Sequence, residues 1–330
     1  MMTNLTRPGT PMRLLLLAIL AVLLIAPAVV YPAFLVKVLC FALFAIAFDL
    51  LLGGAGLLSF GHAAFLGCGA YVSAYAIKTL GMDPVLGIVA GTLAAGVLGL
   101  LFGLVAIRRQ GIYFAMITLA LAQLFYFVCV QIPQTGGEDG IQGVPRGKAL
   151  GILDLSNNLN TYYFVLAIFL AGAYASWRIL HSPFGNVLKA IRDNEPRAIS
   201  LGYRTARYKL AAFVASATLA GLAGATKAMA FQVASLLDVQ WQTSGEVILM
   251  ALIGGISTLL GPFVGAAVIV SLESYLADLD LPITVVIGCI FIVCVTVFRS
   301  GIVGEIEKRR AQRQERILAG RATEAGAGGG

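Results

Sequence analysis

Charge is scarce in this chain. Only 12% of its 330 residues are Asp, Glu, Lys or Arg, against roughly 25% in a soluble domain. An ordinary soluble enzyme is excluded on that ground. Histidine is nearly absent: His62 and His181 are the only two, and they lie in separate segments. A histidine-built metal centre is therefore not expected. The five cysteines, Cys40, Cys68, Cys129, Cys289 and Cys294, sit in apolar runs without metal-ligand spacing and read as small core residues. The sequence has no Gly-x-x-x-x-Gly-Lys-Ser/Thr, no Gly-x-Ser-x-Gly and no His-Glu-x-x-His. A phosphate-binding loop of the usual kind and the common hydrolase constellations are thereby excluded. Ten-residue segments of alternating polarity are also missing, which argues against an outer-membrane barrel.

What is present is apolar length. Hydrophobic residues make up 59% of the chain, and there are 38 glycines. Bilayer crossing needs about 20 consecutive apolar residues. Such spans are expected near 14–30, 33–52, 62–80, 85–107, 112–132, 162–180, 209–231 and 282–298. The fold class is an all-α, polytopic transmembrane bundle. The first span follows Arg7 and Arg13 and contains Ala26-Pro27-Ala28, which mimics a signal-peptide cleavage site. Its length favours an uncleaved membrane helix. The chain divides into this N-terminal helix (1–32), a core (33–300) and a basic tail (301–330) that ends in a low-complexity AGAGGG run and is expected to be disordered.

The net charge of +7 does not indicate nucleic acid, because the basic residues cluster beside apolar spans. Loop 181–208 has five Lys/Arg against two acids, and residues 299–330 have seven against four. Both are expected on the cytoplasmic side, as are both termini. Loop 133–160 has a net charge of −1 and belongs outside. This orientation closes only if segment 247–272 begins and ends on one side. Its Gly254-Gly255 and Gly261-Pro262 breaks therefore predict a hairpin, re-entrant or of two short spans. A comparable break runs from Gly53 to His62. The two form a loose internal correspondence, with a pathway expected between them. Small residues at four-residue spacing, Ala95/Gly99/Gly103 and Ala217/Gly221/Ala225, predict close helix contacts.

Loop 181–208 is the most informative stretch. Ser182 is a helix N-cap with Pro183 at the first position. Phe184, Val187, Leu188 and Ile191 then share one face, with Lys189 and Arg192 pointing elsewhere. Asn194 caps a second short helix that ends at Gly202. The elbow between them, Arg192-Asp193-Asn194-Glu195, is polar and exposed. Docking on a partner, lying on the lipid surface and plain solvation all remain open readings of this helix pair.

Here the chain is identified by resemblance. Five segments carry it: GLLSFGHAAFLGCGAY (56–71), GIYFAMITLALAQLFYF (111–127), TGGEDGIQGVP (135–145), SPFGNVLKAIRDNEPRAISLGY (182–203) and YKLAAFVASATLAGLAGA (208–225). They resemble the permeases of ATP-binding-cassette importers for branched-chain amino acids, M-type (LivM-like). The resemblance covers about residues 33–300. It implies that 182–203 is the loop that couples to an ATPase subunit. Glu195, Ala198 and Gly202 match the acidic, small and glycine positions of the coupling motif. Pro196 and Arg197 stand where a strict motif has alanines. The resemblance also implies a second, H-type permease, two cytoplasmic ATPase subunits that hold ATP and Mg, and a periplasmic binding protein. The setting would be the bacterial inner membrane, and this chain would carry no cofactor. Paralogous import of urea, short amides or aromatic acids is a same-family alternative. A standalone secondary transporter or channel is the alternative of another class.

Intramembrane polar residues complete the candidates. Asp49, Ser59, His62, Glu246, Gly254 and Gly255 are expected to line or hinge the pathway. His62 reads either as pathway lining or as a buried histidine bonded to a carbonyl. Lys37 and Lys78 lie close enough to span ends to reach the headgroups.

Overall fold

A computed structural model describes residues 21–149, 151, 153–258, 260–277, 288, 301, 304 and 305. Nearly all of the span expected at 282–298 and of the tail, and most of the first span, lie outside the described residues. Ten helices organise the rest: α1 (Pro32–Ala55), α2 (His62–Lys78), α3 (Pro84–Ala106), α4 (Ile112–Gln131), α5 (Asn158–Leu180), α6 (Pro183–Asp193), α7 (Glu195–Ser200), α8 (Thr205–Phe231), α9 (Trp241–Gly254) and α10 (Gly261–Ala277).

Local chemistry sets the boundaries. Pro32, Pro84 and Pro183 occupy first turns, where a missing N–H costs nothing. Asp83 and Asn157 accept the N–H of Val85 and Leu159 at 2.8 and 3.0 Å. Gly56 ends α1 at φ +70°, a conformation that a Cβ would strain.

Five of these helices, α1, α3, α4, α5 and α8, are long and apolar enough to cross a bilayer. α2, α9 and α10 are shorter, with 17, 14 and 17 residues. The helices are not equivalent. α1 and α8 are mostly buried, whereas most residues of α3, α4 and α5 are exposed or only partly covered. A helix that is apolar on every side yet half uncovered needs lipid or another subunit around it. α1 packs against α5, α8, α9 and α10, and α8 packs against α1, α2 and α3.

The two expected sets of small residues face each other. On one side of α3, Leu93, Val97 and Leu101 are exposed; on the other, Ala95, Gly99 and Gly103 are buried against α8. A Cβ on Gly221 would sit 2.1 Å from the Ala95 Cβ, and one on Gly99 would sit 2.3 Å from that of Ala217. α2 enters the same seam, where a Cβ on Gly224 would meet the Leu66 carbonyl at 1.8 Å. Close backbone approach is how membrane helices gain contact when lipid is as apolar as leucine.

Segment 247–272 is a hairpin, as expected: α9 and α10 pack together around residues 255–260. Gly254 and Gly265 make that turn possible, since Cβ atoms there would strike Gly261 O and Met250 O at 1.8 Å. Loop 133–160 is more ordered than its composition indicates. Strand β1 (Ile141–Gln142) pairs with β4 (Val233–Ala234), and β2 (Lys148–Ala149) pairs with β3 (Leu153–Asp154). Arg146 ties the loop to the end of α8 by donating to Ala230 O at 2.7 and 3.1 Å.

Candidate functional site

The two broken segments meet beside the α6–α7 pair. After α1, residues 57–61 run as non-helical, largely buried chain before α2 begins. Ser59 is fully buried, and its Oγ accepts the Gly61 N–H at 3.2 Å. The other break, after Gly254, turns at Gly255 (φ +116°) and Ser257 (φ +63°). Ser257 bridges the two: its N–H donates to Asp49 Oδ1 at 3.0 Å, and its Oγ donates to Gly53 O at 3.0 Å.

The α6–α7 pair is built from its caps. Ser182 Oγ accepts the Gly185 N–H at 3.4 Å, and Asn194 Oδ1 accepts the Arg197 N–H at 3.0 Å. Gly202 closes the unit at φ +89°. Leu188, Ile191 and Ala198 are buried, and Phe184 stacks on Tyr208 with centroids 5.6 Å apart.

The elbow is less solvated than its sequence reads. Arg192 turns inward and donates through Nη1 to Gly53 O and, at 2.9 Å, to Ser257 Oγ. Its Cγ would lie 2.7 Å from a Cβ on Gly56. One guanidinium therefore touches α6 and both breaks. Glu195 also turns inward, pairing with Lys209 Nζ of α8 at 2.5 Å; the side chains are 16% and 7% exposed. Asp193, at 71%, is the acid that faces solvent.

A cleft of about 130 Å³ opens at this junction. Asp49, nearly buried, lies in it with Trp177 and His181 of the α5 end and Lys189 of α6. Gly254 and Gly255 shape the turn rather than the cleft.

His62 is placed elsewhere. It is fully buried, ringed by Phe48, Phe65 and Phe213 in edge-on contacts. Its Nε2 lies 2.8 Å from Ser216 Oγ, which donates to Ala47 O at 2.5 Å. With its proton committed to Ala47, Ser216 accepts from His62 Nε2–H. The partner is thus a hydroxyl, not the expected carbonyl. Nearby, Ala63 N–H donates to Ser244 Oγ at 2.9 Å, linking the first turns of α2 and α9.

A second set of charges lies toward the other ends of α1, α8 and α10. Lys227 pairs with Asp238 and sits 5.0 Å over the Phe41 ring; Lys37 pairs with Glu273 at 3.4 Å. Glu246, half-buried, lies within electrostatic range of all four of these charged residues. Lys37 therefore has a protein partner, and Lys78 donates to Gln142 O at 2.7 Å. Among the described residues, no group of three or more His, Cys, Asp or Glu is arranged to hold a metal ion.

The partners that sequence alone does not reveal are Ser257, Lys209 and Gly53. Ser257 and Gly53 lie inside the glycine-rich breaks, whose composition marks them. Lys209 carries no local signal beyond being a lysine at a helix start.

Comparison with known proteins adds the family. Residues 30–297 match the family described as "Branched-chain amino acid transport system / permease component". The chain is 25% identical over 260 residues to the high-affinity branched-chain amino acid transport system permease protein LivM of Escherichia coli (strain K12), covering 70% of this chain and 60% of that protein. It is 24% identical over 255 residues to the LivM of Salmonella typhimurium, with the same coverage. It is also 29% identical over 203 residues to the autoinducer 2 import system permease protein LsrC of Klebsiella pneumoniae, covering 58% and 54% of the two chains. The chain thus spans about 60% of the length of the LivM relatives. No solved structure matches it. With its all-α, multi-pass membrane architecture and this match, the chain belongs to the branched-chain amino acid transport system permease family, a family of ATP-binding-cassette importer permeases.

Proposed function

We propose that this chain is the M-type permease subunit of an importer for branched-chain amino acids, working in the bacterial inner membrane with both termini in the cytoplasm. The single observation that carries this reading is the Arg192 guanidinium, shared between α6, Gly53 and Ser257. A push on the elbow is transmitted directly to both breaks, which a merely solvated loop does not require. The remaining parts come from partners: an H-type permease, two ATPase subunits that bind ATP and Mg, and a periplasmic receptor that delivers the amino acid. Residues 33–300 act as the transport core. Closure of the ATPase pair moves α6 and α7, and the broken ends of α1 and α9 follow. The exposed Asp193 and Asn194 meet the ATPase, while Glu195, Ala198 and Gly202 hold the shape of the elbow.

Co-expression with the candidate ATPase and permease partners, followed by reconstitution in proteoliposomes, tests this. Receptor-dependent, ATP-dependent uptake of leucine, isoleucine or valine is the expected result. Uptake without any ATPase would assign the chain to the secondary transporters. ATP-driven uptake of autoinducer 2 or urea in place of leucine would leave the importer class standing and replace the cargo.

A further inference from the structure

The end of α3 carries an inference about the lipid around it. Every exposed residue of α3 is a leucine or a valine, and they form a strip along the span. Leu93, Val97, Leu100, Leu101, Leu104 and Val105 are 42–62% exposed. Gly96, Gly99 and Gly103 face the seam with α8 instead. Membrane helices meet one another through small residues, so a face of leucine and valine alone suits acyl chains.

Arginines close that strip. Arg108 follows Leu101, Leu104 and Val105 by seven, four and three residues, and Ile107 before it keeps helical dihedrals (φ −68°, ψ −16°). Arg108 therefore ends the same face, with Arg109 next to it. α8 supplies two more. It runs antiparallel to α3: Ala95 faces Gly221, Gly99 faces Ala217 and Gly103 faces Phe213. This register brings the start of α8 to the end of α3. Arg207 precedes Val214 and Thr218, which lie against Gly99 and Gly96, by seven and eleven residues, and so shares their face of α8. Arg204 is the N-cap residue of the same helix. All four arginines are exposed, and none forms an ion pair among the described residues. Residues 84–137 and 196–237 contain no Asp or Glu. Of the two acids in the adjoining elbow, Glu195 is held by Lys209 and Asp193 pairs with Arg192. Unneutralised guanidinium groups above an apolar strip complement a molecule with phosphates at its head and hydrocarbon below.

We propose that this corner binds an anionic phospholipid with two phosphates, of the diphosphatidylglycerol type. Arg108 and Arg109 hold one phosphate, Arg204 and Arg207 the other, and the acyl chains lie along the leucine–valine strip of α3. The site depends on the multi-pass membrane fold and not on the cargo of the importer. It also goes beyond the charge bias that orients membrane spans, which requires no particular lipid.

The test is native mass spectrometry of the detergent-purified full chain titrated with lipid. The wild type is expected to bind diphosphatidylglycerol roughly tenfold or more tightly than phosphatidylcholine. R108Q and R207Q should each weaken that binding about fivefold, the ordinary worth of one basic residue at an anionic membrane surface, and R108Q/R207Q roughly twentyfold. R178Q/K189Q removes two other cations, from the last turn of α5 and from α6, and should stay within about twofold of wild type. Sodium phosphate at the same phosphate concentration should not displace the lipid, because it lacks the acyl chains. Equal affinity for the two lipids, an R108Q/R207Q variant that binds like wild type, or displacement by phosphate would each overturn the proposal. Loss of a co-expressed permease or ATPase partner from R108Q/R207Q, with lipid affinity unchanged, would give the corner to that protein instead.

Discussion

Arg192 of α6 donates a hydrogen bond to the carbonyl of Gly53, two residues before the end of α1. The residues are 139 apart in sequence. The bond is charge-assisted, and its acceptor lies in the last turn of a helix, where carbonyls lack intrahelical partners. The same guanidinium reaches Ser257 in the second break. Two interruptions of the bundle and one cytoplasmic helix therefore converge on a single side chain.

The Glu195–Lys209 pair fixes the elbow to the base of α8. Both side chains are largely buried, so deleting either strands its partner. E195A or K209A should cost roughly 3–5 kcal/mol. An E195L/K209M double variant should recover most of that, because no lone charge remains. Thermal unfolding of the detergent-purified protein checks both, and a double variant as weak as the singles would contradict the pairing.

The α2–α3–α8 seam depends on missing side chains. G221L and G224L should prevent a stable bundle, since even a Cβ meets Ala95 at 2.1 Å or Leu66 O at 1.8 Å. L93A, on the exposed face of α3 at 62% exposure, should be close to neutral. Monodispersity on size-exclusion chromatography distinguishes the two classes.

The His62–Ser216–Ala47 relay is a fully buried hydrogen-bonded unit. S216A should lower stability by about 1–3 kcal/mol, because it leaves the His62 N–H buried without an acceptor. S216T, which retains the hydroxyl, should behave better than S216A. Equal unfolding midpoints for all three proteins would show that the relay contributes nothing.

Orientation is directly testable. D193C should react with a membrane-impermeant maleimide in inside-out vesicles and not in intact cells or spheroplasts. E138C should show the opposite pattern. Cys40, Cys68 and Cys129 are buried and should contribute little background.

Much of this was legible locally. Ser182, Asn194 and Gly202 are caps whose function depends on their immediate neighbours, so the α6–α7 pair could be read residue by residue. The small-residue sets could be read as contact surfaces, though periodicity could not show that they face each other. Arg192 and Glu195 were harder. A basic and an acidic residue in a polar loop look solvated, and only tertiary structure reveals Gly53 O and Lys209 as their partners. β1 and β4 are two residues each and too short for any pattern. α2 was legible, its expected start at His62 coinciding with that of the helix, whereas the start of α9 is hidden in sequence because Gln242, Thr243, Ser244 and Glu246 read as a polar loop.

The most direct test of coupling through the junction is the number of leucine molecules imported per ATP hydrolysed in proteoliposomes, for wild type and R192A. Losing a charge-assisted bond worth roughly 1.5–3 kcal/mol should weaken transmission by about 10- to 150-fold. The expected result is a complex that keeps its ATPase subunits and hydrolyses ATP, with import per ATP reduced at least tenfold. Import per ATP equal to that of the wild type would contradict a role for Arg192 in carrying the motion.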